Sequence, residues 1–138
     1  MRDALFQKGL RLRKQVIGAE YVERSFKSSD RYTMPVQELA TQAAWGLVWT
    51  RPGISRQWRS VLNLGMLVAL NMPHELKVHI RSALRNGLTR AQVSECLLQT
   101  AIYCGFPAAL AAFRVMQETF AEEDRRGAKP GGGRRRKK

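Results

Sequence analysis

Apolar residues recur three and four positions apart along almost the whole chain, and no segment alternates them every second position. That periodicity specifies helices and leaves no place for a sheet. Residues 3–17 set Phe6, Leu10, Arg13 and Ile17 on one spacing and stop at Gly18, a residue type that ends helices by turning left-handed. A short helix is predicted near residues 19–27, broken by Ser28-Ser29-Asp30. Thr33 is a candidate N-cap, with Pro35 in the first turn of a helix reaching about Trp49. After the Arg51-Pro52-Gly53 loop, Ser55 caps a helix to about Asn71. This helix is apolar nearly all round, as expected of a central helix or of one buried again between copies. Pro73 opens the next helix, which ends at Asn86-Gly87. Thr89 and Gln92 have capping-box spacing for a helix through Cys104. Gly105-Phe106-Pro107 then breaks the chain before an Ala-rich helix to about Glu122. The expectation is all-α: a compact bundle of six to seven helices joined by short loops.

A chain of 138 residues that is 44% hydrophobic forms one domain and buries a core without disulfides or a structural metal. Two Cys exclude a disulfide scaffold, and two His speak against a multi-His metal centre. The apolar run at residues 65–70 is too short to span a bilayer, and the N-terminus lacks a signal-peptide core. A cytoplasmic protein with reduced thiols is expected. The net charge of +13 is unevenly placed: residues 125–138 hold eight basic residues and no acid, leaving +5 on residues 1–124. Residues 1–124 are therefore expected to form the single all-α domain and 125–138 a disordered basic tail. Such a tail is either a solvated extension or a weak attractant for nucleic acid through counterion release.

Several stretches carry a family pattern. They are Ala44-Trp45-Gly46, Trp49-Thr50-Arg51-Pro52-Gly53, Arg59-Ser60, Glu75-Leu76, His79-Ile80-Arg81, Asn86-Gly87-Leu88-Thr89 and Leu98 through Gly105, completed by Pro107-Ala108-Ala109 and Ala111-Ala112-Phe113. Gly9-Leu10 and Arg13 through Gly18 extend the likeness to most of residues 6–122. Together they resemble the carboxymuconolactone decarboxylase family. The resemblance implies an AhpD-like helical fold assembled as a homo-oligomer, trimer or hexamer. It implies decarboxylation of γ-carboxymuconolactone to the 3-oxoadipate enol-lactone in protocatechuate degradation, the β-ketoadipate pathway. Two positions depart from the pattern: Leu47 stands where a Glu is expected and Leu110 where an Asn is expected. Both are expected to border the pocket and make it more apolar. Two alternatives therefore stay open: another carboxylated substrate, or a non-catalytic oligomer using its basic tail.

The implied chemistry needs no metal or organic cofactor. Loss of one carboxylate leaves electrons delocalised onto a carbonyl oxygen, so the protein must hold the remaining carboxylate, stabilise that oxygen and supply a proton. His79 shares a helix face with Leu76, Ile80 and Ala83, which makes it the candidate acid or oxyanion donor, against the plainer reading of a core histidine. His74 is read as surface. Arg51 lies in a loop and has the fork that suits a carboxylate. Arg81 is two residues from His79, so the two diverge by about 200° on one helix and share a site only between helices or subunits. Arg59 is equally ambiguous, and Arg85 and Arg90 are read as solvated. Trp45 and Trp49, four apart on one helix, are either core or pocket lining; Tyr103 and Phe106 flank the Gly105 break and are candidates to line a cavity. Glu75 sits in a first helical turn, where the helix dipole favours it. Cys96 and Cys104 are eight apart, about 12 Å along a helix, beyond the reach of a disulfide. Thiol redox chemistry is therefore disfavoured, and buried structural thiols are expected.

Overall fold

The structure is a computed structural model and describes residues 2–128. Among them there are seven α-helices and no strand. In chain order they are α1 (Arg2–Ile17), α2 (Ala19–Lys27), α3 (Met34–Ala40), α4 (Arg56–Ala69), α5 (Pro73–Arg85), α6 (Arg90–Tyr103) and α7 (Phe106–Ala128). The all-α bundle expected from the periodicity is present. No described helix is long and apolar enough to cross a membrane. The expected tail lies mostly outside the described residues; α7 itself continues six residues past its expected end at Glu122.

Local chemistry sets most boundaries. Gly18 and Gly87 adopt φ of 96° and 100°, values that a Cβ disfavours, so both helices before them end where glycine permits the turn. Ser55 Oγ accepts the Trp58 amide at 3.2 Å. Thr89 Oγ1 accepts from the Gln92 amide at 3.1 Å while Gln92 Oε1 accepts from the Thr89 amide at 2.9 Å, the reciprocal capping box. Thr33 does not cap α3. Its hydroxyl and amide instead bind Asp30, whose Oδ1 accepts the Tyr32 and Thr33 amides at 2.9 Å each. Those hydrogen bonds hold the Asp30 carboxyl below its ordinary value.

One expected helix changes character. Where a single α-helix was expected to reach Trp49, α3 passes at Thr41 into a π-helical segment, Thr41–Val48. The Trp49 amide accordingly donates to the Ala44 carbonyl, five residues back, at 2.9 Å. Turns of this kind inside α-helices are rare and concentrate at functional sites.

Two apolar clusters share α5. One unites α4 to α7 around Leu64, Ile80, Val93, Leu97 and Ala112. The other joins α1, α2 and the π-helical segment to α5 through Leu12, Val16, Val22, Trp45, Trp49 and Val78. Helix α5 thus stands between them, and each fully buried Leu or Ile contributes roughly 1.5–3 kcal/mol. Helix α4 is not central. It buries Ser60, Leu64 and Val68, while Trp58, Leu62 and, just past its end, Leu70 stay exposed.

Candidate active site

His79 projects from α5 toward both tryptophans. Its ring lies 6.5 Å from Trp45 at 4° between planes and 6.5 Å from Trp49 at 25°. The indoles stack on each other at 4.8 Å. Both tryptophans are buried, so they are at once core and wall of the histidine's surroundings. On the other side, Asn63 Nδ2 of α4 stands 3.4 Å from His79 Nδ1. With the amide nitrogen on that side, Asn63 donates to Nδ1, an arrangement that suits the tautomer with its proton on Nε2. Burial lowers the His79 pKa, against an opposing pull from the Glu75 charge. The neutral ring is therefore the form this environment favours.

Glu75 lies one turn before His79 on α5 and is half-buried. Its charge acts on three groups at once: His79, Tyr21 and Arg13. The Tyr21 hydroxyl pairs with His74 Nε2 at 3.2 Å. His74 is exposed, as expected. In the sequence Glu75 reads as a first-turn acid favoured by the helix dipole, and nothing local marks Asn63. The Glu-x-x-x-His spacing, which puts both side chains on one helix face, was the available signal for Glu75.

Arg51 borders a cleft of about 620 Å³. Helix α1 gives it Lys8, Arg11 and Gln15; the loop gives Trp49, Thr50 and Arg51; the start of α4 gives Ser55 and Arg56. No acidic side chain is among its lining residues. Gln15 Oε1 accepts from Arg56 Nη2 at 3.1 Å, and the Arg51 carbonyl accepts from Arg59 Nη2 at 3.1 Å, which fixes the loop on α4. Four cations around one opening, with a helix N-terminus at its rim, make an anion-binding field. Trp49 stands between the cleft and the histidine: it lines this cleft and stacks on His79, which is not itself among the cleft's lining residues.

Two other expected ligands lie elsewhere. Arg81 is paired with Glu122 and, at 2.9 Å through Nε, with Glu123. It lines a separate cleft with Gly18, Arg24 and Arg85. Tyr103 is 82% exposed and borders an apolar groove between α4 and α6 that also contains Cys96 and Cys104. The thiols are free, but neither is fully buried and Cys104 is exposed, which corrects the expectation of buried thiols. Leu47 and Leu110 are 57% and 54% exposed and line none of these clefts in the single chain. Arg90 is held by Asp124 at 2.7 Å. Among the described residues, no group of three His, Cys, Asp or Glu is placed to hold a metal ion.

A family model described as carboxymuconolactone decarboxylase family matches residues 35–118. The chain is 44% identical over 115 residues to nitrosuccinic acid decarboxylase of Metarhizium robertsii, covering 83% of this chain and 80% of that protein. It is 34% identical over 117 residues to 4-carboxymuconolactone decarboxylase of Acinetobacter baylyi, covering 85% and 87%.

Proposed function

Because the chain belongs to the carboxymuconolactone decarboxylase family, we propose that it is a carboxy-lyase for a small dicarboxylate whose carbanion is stabilised by an attached oxygen-bearing group. The observation that carries this reading is the acid-free cationic cleft with Trp49 standing between it and the half-buried His79, whose surroundings favour the neutral ring. Arg51, with Lys8, Arg11 and Arg56 around it, binds the carboxylate that is retained. The scissile carboxylate leaves as CO₂, and the electron pair of the broken C–C bond passes into an enolate or nitronate. The Nε2–H of neutral His79 donates to the oxygen that gains the charge. A proton from solvent then adds to carbon, so one carboxylate and one proton become one C–H bond and CO₂. A donor placed in a water-poor site is worth roughly 10²–10³-fold in rate.

Nitrosuccinate fits this description, and the 44% identity to a nitrosuccinic acid decarboxylase supports it as the preferred substrate. γ-Carboxymuconolactone is the second reading, supported by the motif pattern and by 34% identity to a 4-carboxymuconolactone decarboxylase. Comparing kcat/KM on the two compounds separates the readings. A higher value on nitrosuccinate supports the first, and a higher value on the lactone supports the second.

A further inference from the structure

Arg13 is 7% exposed, and among the described residues no carboxylate lies within ion-pair distance of it. A buried cation without a contacting counter-ion is expensive. Its partners are neutral: Nη1 donates to Thr41 Oγ1 at 3.0 Å and Nη2 to Gln37 Oε1 at 2.8 Å. The guanidinium also packs 5.5 Å from the Phe26 ring centroid. Nε has no partner.

The two acceptors lie one turn apart, and Thr41 is the first residue of the π-helical segment. The Thr41 hydroxyl is fully buried and donates in turn to the Gln37 carbonyl at 2.7 Å. Helix α1 also meets the segment backbone to backbone. A Cβ on Gly9 would collide with the Thr41 carbonyl oxygen and stand 2.8 Å from the Gly46 nitrogen, and a Cβ on Gly46 would stand 2.9 Å from the Leu5 carbonyl oxygen. One extra residue in a turn rotates everything after it by about 100°. The direction of Trp49, and hence its stacking on His79, therefore depends on where the π-helical turn begins.

We propose that Arg13 is a positioning residue: its guanidinium fork locks the entry of the π-helical segment so that Trp45 and Trp49 stand against His79. The fork geometry explains arginine here, because one side chain must reach acceptors on two successive turns. The cost of burying its charge is then retained for the site it orders. This inference rests on His79 as the reacting centre.

The test uses the full chain with Arg13→Met and, because Met could leave the chain unfolded, Thr41→Val. Three readouts are taken: the exciton couplet of the stacked indoles in circular dichroism, the ring-current shift of the His79 proton resonances, and kcat against KM. In a variant that keeps its helical signal, the couplet and the ring-current shift are expected to vanish. A displacement of this kind lowers kcat by about 10²-fold, while KM is expected to change much less, because the four cleft cations Lys8, Arg11, Arg51 and Arg56 remain even where Trp49, which lines the same cleft, turns away. If both spectral signatures persist in either folded variant, the positioning role is overturned. The spectra need no substrate, so a wild type without turnover sinks the proposed reaction and leaves the positioning role to be judged by the spectra alone.

Discussion

The imidazole of His79 lies parallel to the indole of Trp45, 4° apart in plane and 6.5 Å between centroids. Parallel stacking shields the ring from water on that side, and the loss of solvation lowers the His79 pKa. A neutral histidine, with Trp49 between it and the cationic cleft, can donate a hydrogen bond without adding a charge that would compete with the cleft for a carboxylate.

The first consequence is a pH dependence with a definite sign. The His79 pKa is lower folded than the ordinary 6.5, so the unfolded chain binds more protons between those two values. Stability is then fully present above pH 6.5 and falls as the pH drops through the folded value. Protonation also puts a donor on Nδ1, opposite the Asn63 amide. Activity should therefore fall on the acid side, below pH 6.5, and His79→Gln should remove this group's part of the acid slope in a denaturant series.

The two arginines of the family pattern should separate in kinetics. Arg51→Ala removes a cleft cation and is expected to raise KM by about tenfold, the lower end for a charge-assisted hydrogen bond, less at high salt. Arg81→Met should leave KM unchanged and lower stability by about 1–3 kcal/mol, because it takes the shared cation from a half-buried cluster and leaves Glu122 with Lys77 and Glu123 with Arg126. Steady-state kinetics and urea unfolding of the two variants check this. Equal KM effects would return Arg81 to the site.

Glycine substitutions test the close approach of α1 to the π-helical segment. Gly9→Ala places a methyl group in collision with the Thr41 carbonyl and should cost about 3 kcal/mol. Gly53→Ala, with nothing within 4 Å of the added carbon, should change stability by less than about 0.5 kcal/mol. Chemical denaturation of both variants reads the contrast.

Much of this architecture was readable because its determinants are local. Gly18, Ser55 and the Thr89–Gln92 pair end or start helices through atoms within a few residues of themselves. The π-helical turn was not readable, since Trp45 and Trp49 four apart suit an α-helix equally well. The burial of Arg13 depends on acceptors 24 and 28 residues away, and no periodicity encodes that distance. His79 and Arg51 lie in motif segments that the sequence shows, whereas Lys8 and Arg11 join Arg51 only when α1 crosses the loop. Arg81 carries the same motif but meets acids at the end of α7, a partnership set by tertiary packing.

Exposed apolar side chains predict self-assembly. Trp58 and Leu62 on α4, Leu70 just past its end, and Ile102, Tyr103 and Phe106 around the α6–α7 corner are each more than half exposed, which is a large apolar surface for one small domain. Light scattering at micromolar protein should give a mass above that of one chain. Ile102→Glu together with Phe106→Glu should lower it, and a monomeric wild type would contradict the expectation.

The most direct test is CO₂ release from nitrosuccinate and from γ-carboxymuconolactone by the wild type and by His79→Gln, with folding verified for both proteins. The account requires turnover of at least one compound by the wild type and a loss of about 10²-fold or more in the variant. Release of CO₂ from neither compound, or undiminished release by the variant, would contradict it.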